Sequence, residues 1–148
     1  RGELRRKVPE GLLLSIGLND TARIGREDGR PQLSEEAFKL GLKRLVNEIK
    51  KEVDVMVLGL TPVNEASMPF SECLWYSNKY CSIYEKDIEE TCLDLDIPFL
   101  SIHEKMIKLI TFKDLLCSDG IHLNTAGHNW IFNQISEWQA LKDWADLK

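Results

Sequence analysis

A chain of 148 residues, 43% of them hydrophobic, can bury one substantial core, which excludes a disordered polymer and predicts a single domain over residues 1–148. A formal charge of −5 and a pI near 5.3 argue against nucleic acid or an anionic membrane as partner, because phosphate binding needs a cationic surface that releases counterions. No apolar run approaches the roughly twenty residues of a membrane span and no charged-then-apolar leader opens the chain, so a cytoplasmic protein is expected.

In chain order, "RGELRRK" (1–7) resembles the tail of a helix, and the absence of a methionine at position 1 predicts that an amino-terminal piece precedes it. The short basic runs "RRK" (5–7) and "IKKE" (49–52) read as solvated helix faces. "GLLLSIG" (11–17) is a continuous apolar run closed by glycine, as in a strand buried on both faces of a parallel sheet. Ser34 followed by Glu35 and Glu36 starts a helix, and Phe38, Leu42, Leu45, Ile49 and Val53 recur at spacings of three and four, taking it to about Glu52. "VDVMVLGL" (53–60) is a second buried strand, followed by the loop "TPVNEASMP" and an irregular aromatic stretch.

Cys81, Tyr84, Ile88, Cys92 and Leu95 mark the inner face of the next helix, with Ser77 or Asn78 as its cap. "IPFLSI" (97–102) is a third strand, 104–110 a short helix, and a last helix from Thr125 carries Trp130, Ile131, Ile135, Trp138 and Leu141 inward. Alternating strands and helices predict a three-layer α/β domain. In such sheets sites form at the carboxyl ends of the strands, here after Ile16, Leu60 and Ile102.

Two stretches near those ends carry chemistry. In "SDGIHLNTAGH" (118–128), Asp119 lies three residues before His122 with Gly120 between them. A histidine acting as general base needs one ring nitrogen toward the substrate and the other held by an acceptor, and a carboxylate at this spacing can fold back onto Nδ1. The same residues also fit a plain turn, with Asp119 as its cap and His122 as a polar packing residue. In "SIGLND" (15–20), Asn19 follows the first strand, where its amide could stabilise an oxyanion, with Gly17 allowing the exit turn and Asp20 beside it. The alternative is an ordinary turn in which Asn19 and Asp20 bond their own backbone.

Together the two stretches resemble the Gly-x-Asn-Asp and Asp-x-x-His blocks of the SGNH hydrolases, the GDSL esterases and lipases, in order and in a separation of about one hundred residues. The resemblance covers nearly the whole chain. It implies a flavodoxin-like α/β/α sandwich and ester hydrolysis through an acyl-enzyme, with His122 as base, Asp119 as its orienting partner, Asn19 in the oxyanion hole, a small ester as substrate, and neither metal nor organic cofactor. Two blocks of that pattern are missing: the Gly-Asp-Ser that holds the nucleophile, and a glycine after the second strand that donates to the oxyanion hole. Ser15 lies in the strand run and Ser118 is poorly placed to meet His122 and a carbonyl together. The expectation is an amino-terminally incomplete domain lacking its first strands, whose first apolar strand has an open edge that invites association with another copy. The rival expectation is a non-catalytic isoform or pseudoenzyme that binds a ligand or partner. A nucleotide-binding flavodoxin-like module ranks last, because no glycine-rich phosphate loop follows any strand.

The remaining candidates receive plainer readings. His128 could join Asp119 and His122 as metal ligands, but the ligand pattern is absent and it is expected to pack in a first helical turn; His103 is expected to lie at the surface or cap a helix. Phe70, Trp75 and Tyr76 either wall a pocket or pack their own loop. Asn64, Glu65, Arg23, Arg26 and Arg30 read as solvated loop residues. Cys73, Cys81, Cys92 and Cys117 lack the paired spacing of a zinc site and are expected as reduced thiols, a Cys73–Cys81 bridge being the alternative.

Overall fold

The structure, a computed structural model, describes residues 9–146. The helix-tail reading of residues 1–7 falls outside them. Three parallel strands form the main sheet: β1 (Gly11–Leu14), β3 (Asp54–Leu58) and β5 (Phe99–Leu100), in the spatial order β1-β3-β5. Leu12 pairs with Val55 and Leu14 with Val57, and Val57 in turn pairs with Phe99. The apolar runs form strands here because helices cover both faces of the sheet.

On one face, α1 (Glu35–Ile49) and α2 (Asn78–Asp94) bury Phe38, Leu42, Val46, Tyr84, Ile88 and Cys92 against Val55 and Val57. Ser34 caps α1 as its sequence predicts, its hydroxyl accepting the Ala37 N–H at 3.3 Å. On the other face, Trp130, Ile131, Ile135 and Trp138 pack on Leu58, Leu100 and Ile102. The chain is thus a mixed α/β fold with a parallel sheet between helical layers.

The predicted last helix is two helices, α4 (Thr125–Ser136) and α5 (Gln139–Asp146). The break at Glu137 and Trp138 turns the chain so that Trp144 reaches the start of the sheet, where its Nε1–H donates to Asp54 Oδ2 at 3.0 Å. The short helix expected at 104–110 shrinks to α3 (His103–Met106), and a 3-10 turn follows at Phe112–Leu115.

Glu85 explains the start of α3. It is buried at 5% exposure, and its carboxylate accepts the N–H groups of Ile102, His103 and Glu104 at 2.9, 2.8 and 3.1 Å and the Ser101 hydroxyl at 3.2 Å. These are donors that a helix start leaves without intrahelical partners. Gly59 makes room for the carboxylate: a Cβ there would lie 1.8 Å from Glu85 Oε1.

A second sheet went unpredicted. β2 (Arg23–Ile24) pairs antiparallel with β4 (Leu74–Trp75), joining the loop after β1 to the loop after β3. Arg23 is accordingly no solvated loop charge. It is 7% exposed, its Nε donates to the Trp75 carbonyl at 3.1 Å and another guanidinium nitrogen to the Glu27 carbonyl, and it stacks 5.2 Å from the Tyr80 ring centre. Arg26 pairs with Asp28 at 2.7 Å and Arg30 is exposed.

Candidate active site

The site is assembled from the loops that leave the carboxyl ends of β1 and β3 and from the segment between α3 and α4. Gly17 closes β1 at φ +114°, and a Cβ there would sit 2.9 Å from Phe38 Cζ, so both the turn and the close approach of α1 call for glycine. The chain then makes one 3-10 turn, Asn19–Thr21, tied by the Asp20 N–H to the Gly17 carbonyl at 3.1 Å. Partial burial raises the Asp20 pKa from its usual value. The Asn19 side chain accepts the Tyr76 hydroxyl through Oδ1 at 3.2 Å.

The second half is the loop 116–123, closed by the Leu116–Leu123 bridge and the Cys117 N–H to His122 carbonyl bond at 2.7 Å. Asp119 Oδ1 accepts the N–H groups of Ile121 and His122 at 2.9 and 3.0 Å, and its Oδ2 meets His122 Nδ1 at 2.7 Å. The Ile121 N–H, and after it the imidazole, hold the Asp119 pKa down to about 2. An ionised carboxylate only accepts, so Nδ1 is the nitrogen that carries a proton in this pair and Nε2 is the one left for another partner. One Asp119 oxygen thus closes the turn and the other meets the imidazole.

Both ends of this loop are pinned. Asn124 caps α4 through Oδ1 to the Gly127 N–H at 3.0 Å, while its amide donates to the carbonyls of Asp114 and Leu116 at 2.8 and 3.0 Å. At Gly120, φ +76°, the carbonyl accepts the Asn64 N–H at 2.8 Å, and a Cβ would fall 2.6 Å from Ser67 Cβ and 2.9 Å from the Asn64 carbonyl. Asn64 is half-buried and Glu65 exposed, and both are tied into the loop: Glu65 Oε1 accepts the Asn78 N–H at 2.6 Å, and the Asn78 side chain makes two bonds of 2.9 Å with the Val63 backbone. Asn78 was one of two cap candidates for α2; Ser77 takes the cap position and makes no side-chain cap bond.

Asn19 and His122 are linked by aromatic rings. The Phe70 ring stands edge-on to His122 with centres 5.8 Å apart and edge-on to Tyr76 at 6.5 Å, and Tyr76 bonds Asn19. Their neighbours Leu18 and Ile121 share one apolar cluster with Val63, Tyr76, Met68 and Phe70. Phe70 and Tyr76, offered by the sequence either as pocket walls or as packing for their own loop, do the latter with each other and also reach His122 and Asn19, about fifty positions away. Trp75 belongs to β4.

Other candidates fall elsewhere. His103 is 5% exposed rather than at the surface, and burial lowers its pKa. His128 is exposed instead of packed. Ser15 and Ser118 are both exposed. All four cysteines are free thiols, so Cys73 and Cys81 are not bridged. Among the described residues no group of three or more His, Cys, Asp or Glu side chains could hold a metal ion, and no helix is long and apolar enough to cross a membrane.

A parallel sheet sandwiched by helices, with an Asp–His pair and an asparagine in the loops beyond its strands, is a layered α/β architecture. Residues 2–130 match the GDSL-like lipase/acylhydrolase family, and the chain belongs to that family. It is 22% identical over 141 residues to a GDSL esterase/lipase of Arabidopsis thaliana, covering 86% of this chain and 58% of that protein. The fold matches the lipase/acylhydrolase from Enterococcus faecalis with a TM-score of 0.72 at 16% identity, over 90% of this chain and 62% of the other. It also matches an alpha/beta hydrolase enzyme from the metagenome of Lake Arreo with a TM-score of 0.60 at 17% identity, over 85% of this chain and 57% of that one. The chain thus spans less than two thirds of the length of these relatives.

Proposed function

We propose that the protein is a serine esterase acting on a small ester or acyl substrate through an acyl-enzyme, with His122 as general base, Asp119 as its orienting partner and Asn19 as an oxyanion donor. The observation that carries this is the 2.7 Å contact of His122 Nδ1 with an ionised Asp119, which leaves Nε2 free to take a proton. In the reaction, a serine Oγ attacks the substrate carbonyl carbon while its proton passes to His122 Nε2. Negative charge gathers on the carbonyl oxygen, which the Asn19 amide stabilises by donating to it. The tetrahedral species collapses, its C–O bond breaks, and His122 returns the proton to the leaving alcohol; water then releases the acid by the same path in reverse. Gly17 and Asp20 support the turn that carries Asn19.

No Gly-Asp-Ser occurs in the 148 residues, so this reading assigns the nucleophile to sequence outside them. The share of the Arabidopsis relative that the chain spans, 58%, leaves room for it. The side of β1 away from β3, where no other described strand pairs, is where we place either strands of that sequence or a second copy. The same lack of a serine block favours one second reading, an isoform whose cleft only binds a ligand or partner.

The full-length protein is expected to hydrolyse p-nitrophenyl acetate and to lose at least about a hundredfold in kcat in His122→Ala, while the 148-residue chain alone does not turn over. Undiminished kcat in His122→Ala refutes the assignment. A fluorophosphonate probe separates the two readings: it labels a serine of the full-length protein under the first and none under the second.

A further inference from the structure

We propose that Tyr76 is a positioning residue that holds the Asn19 carboxamide by its oxygen and leaves the NH₂ group open to a substrate. This rests on the assignment of Asn19 as oxyanion donor. A carboxamide is nearly symmetric in shape but opposite in chemistry at its two ends: the NH₂ group donates and the oxygen accepts. Turned one way, Asn19 stabilises a developing oxyanion; turned the other, it places an oxygen lone pair against it and opposes the reaction. Asn19 is an exposed residue on a single 3-10 turn, so burial of its own side chain does not choose between the two.

In the structure Tyr76 holds the first orientation: its hydroxyl donates to Asn19 Oδ1 at 3.2 Å, which engages the oxygen and leaves the NH₂ as the group that can meet a substrate. The phenol is itself held in place. Tyr76 is 3% exposed, its ring stands edge-on to Phe70, and its backbone N–H points to Met68 Sδ at 3.4 Å. One residue earlier, Trp75 pairs with Arg23 in the β2–β4 ribbon, so the segments bearing Tyr76 and Asn19 are tied together by backbone bonds as well. The Asn19 main chain is fixed from the other side, its carbonyl accepting the Ala22 N–H at 3.1 Å and the Gln32 amide at 3.3 Å. Burial also raises the Tyr76 pKa, so the hydroxyl keeps the proton that it donates to Asn19. The phenol transfers no proton in the reaction; its effect passes through the amide.

The test is a double-mutant cycle on the full-length protein with p-nitrophenyl acetate, comparing wild type, Tyr76→Phe, Asn19→Ala and the pair. Tyr76→Phe removes one oxygen and keeps the ring, so thermal unfolding checks that the fold survives. The expected result is a fall in kcat of roughly five- to tenfold with KM changed by less than about twofold, the scale of one lost neutral hydrogen bond acting on a transition-state donor. In the Asn19→Ala background the same change should alter kcat by less than about twofold. An unchanged kcat in Tyr76→Phe, or an equal fall in both backgrounds, overturns the proposal while leaving Asn19 in its role. No loss of kcat in Asn19→Ala overturns the oxyanion assignment itself, and the inference about Tyr76 with it.

Discussion

Replacing Gly120 by alanine perturbs the point where the Asp119–His122 loop rests on the loop after β3. Two costs add there. The backbone holds φ +76°, in the left-handed region that an L side chain enters at a net cost of about 1 kcal/mol. The new Cβ would also lie 2.6 Å from Ser67 Cβ and 2.9 Å from the Asn64 carbonyl oxygen, neither of which is the far end of a flexible side chain. Relief requires the two loops to part, stretching the bond from the Asn64 N–H to the Gly120 carbonyl, and overpacking of this kind costs about 1–3 kcal/mol. The sum is about 2–4 kcal/mol. Gly25 supplies the control, because it has φ +75° and nothing within 4 Å of its Cβ position, so Gly25→Ala incurs the backbone cost alone. In urea, with a slope of about 1–3 kcal/mol per molar, Gly120→Ala should lower the unfolding midpoint by about 1 M or more and Gly25→Ala by roughly half a molar. Equal shifts in the two variants would refute the close packing of these loops.

The Asp119 carboxyl should titrate near pH 2 in the folded chain, followed by carboxyl-carbon NMR, against an unperturbed value of 3.8. Because the folded pKa is depressed, its stabilisation is complete above the unfolded value and is lost as pH falls from about 4 towards 2, so Asp119→Asn should flatten the stability profile in that window; a titration midpoint near 4 would contradict the bonding described. Among the thiols, Cys73 and Cys117 are exposed, whereas burial pushes Cys81 up to about 12 and Cys92 to about 11. Ellman's reagent should therefore modify two thiols rapidly in the native protein and the other two only on unfolding; rapid reaction of all four would show that α2 does not pack as described.

The main sheet and its two covering helices were legible in the chain because each is specified locally. "GLLL" and "VMVL" are apolar runs too short for helices, and Ser34 announces α1 by its own side chain. The Asp119–His122 pairing was legible for the same reason, since both partners lie within one turn. Contacts made at long range left no such trace. Arg23 looks like a loop charge until Trp75, 52 positions on, offers its carbonyl. β2 and β4 are two residues each, below any periodicity, and exist because they meet one another. The break between α4 and α5 was equally hidden: Trp138 and Leu141 continue the helical spacing across it, and the contact of Trp144 with the first residues of β1 and β3 lies far along the chain.

The nesting of Glu85 against Gly59 ties two distant positions into one evolutionary unit. A side chain of any size at 59 would occupy the space of the carboxylate, and a shorter residue at 85 would leave three amide protons facing an empty hole. Homologous chains should consequently keep both residues or exchange both at once, and an engineer who varies either alone samples mostly misfolded material.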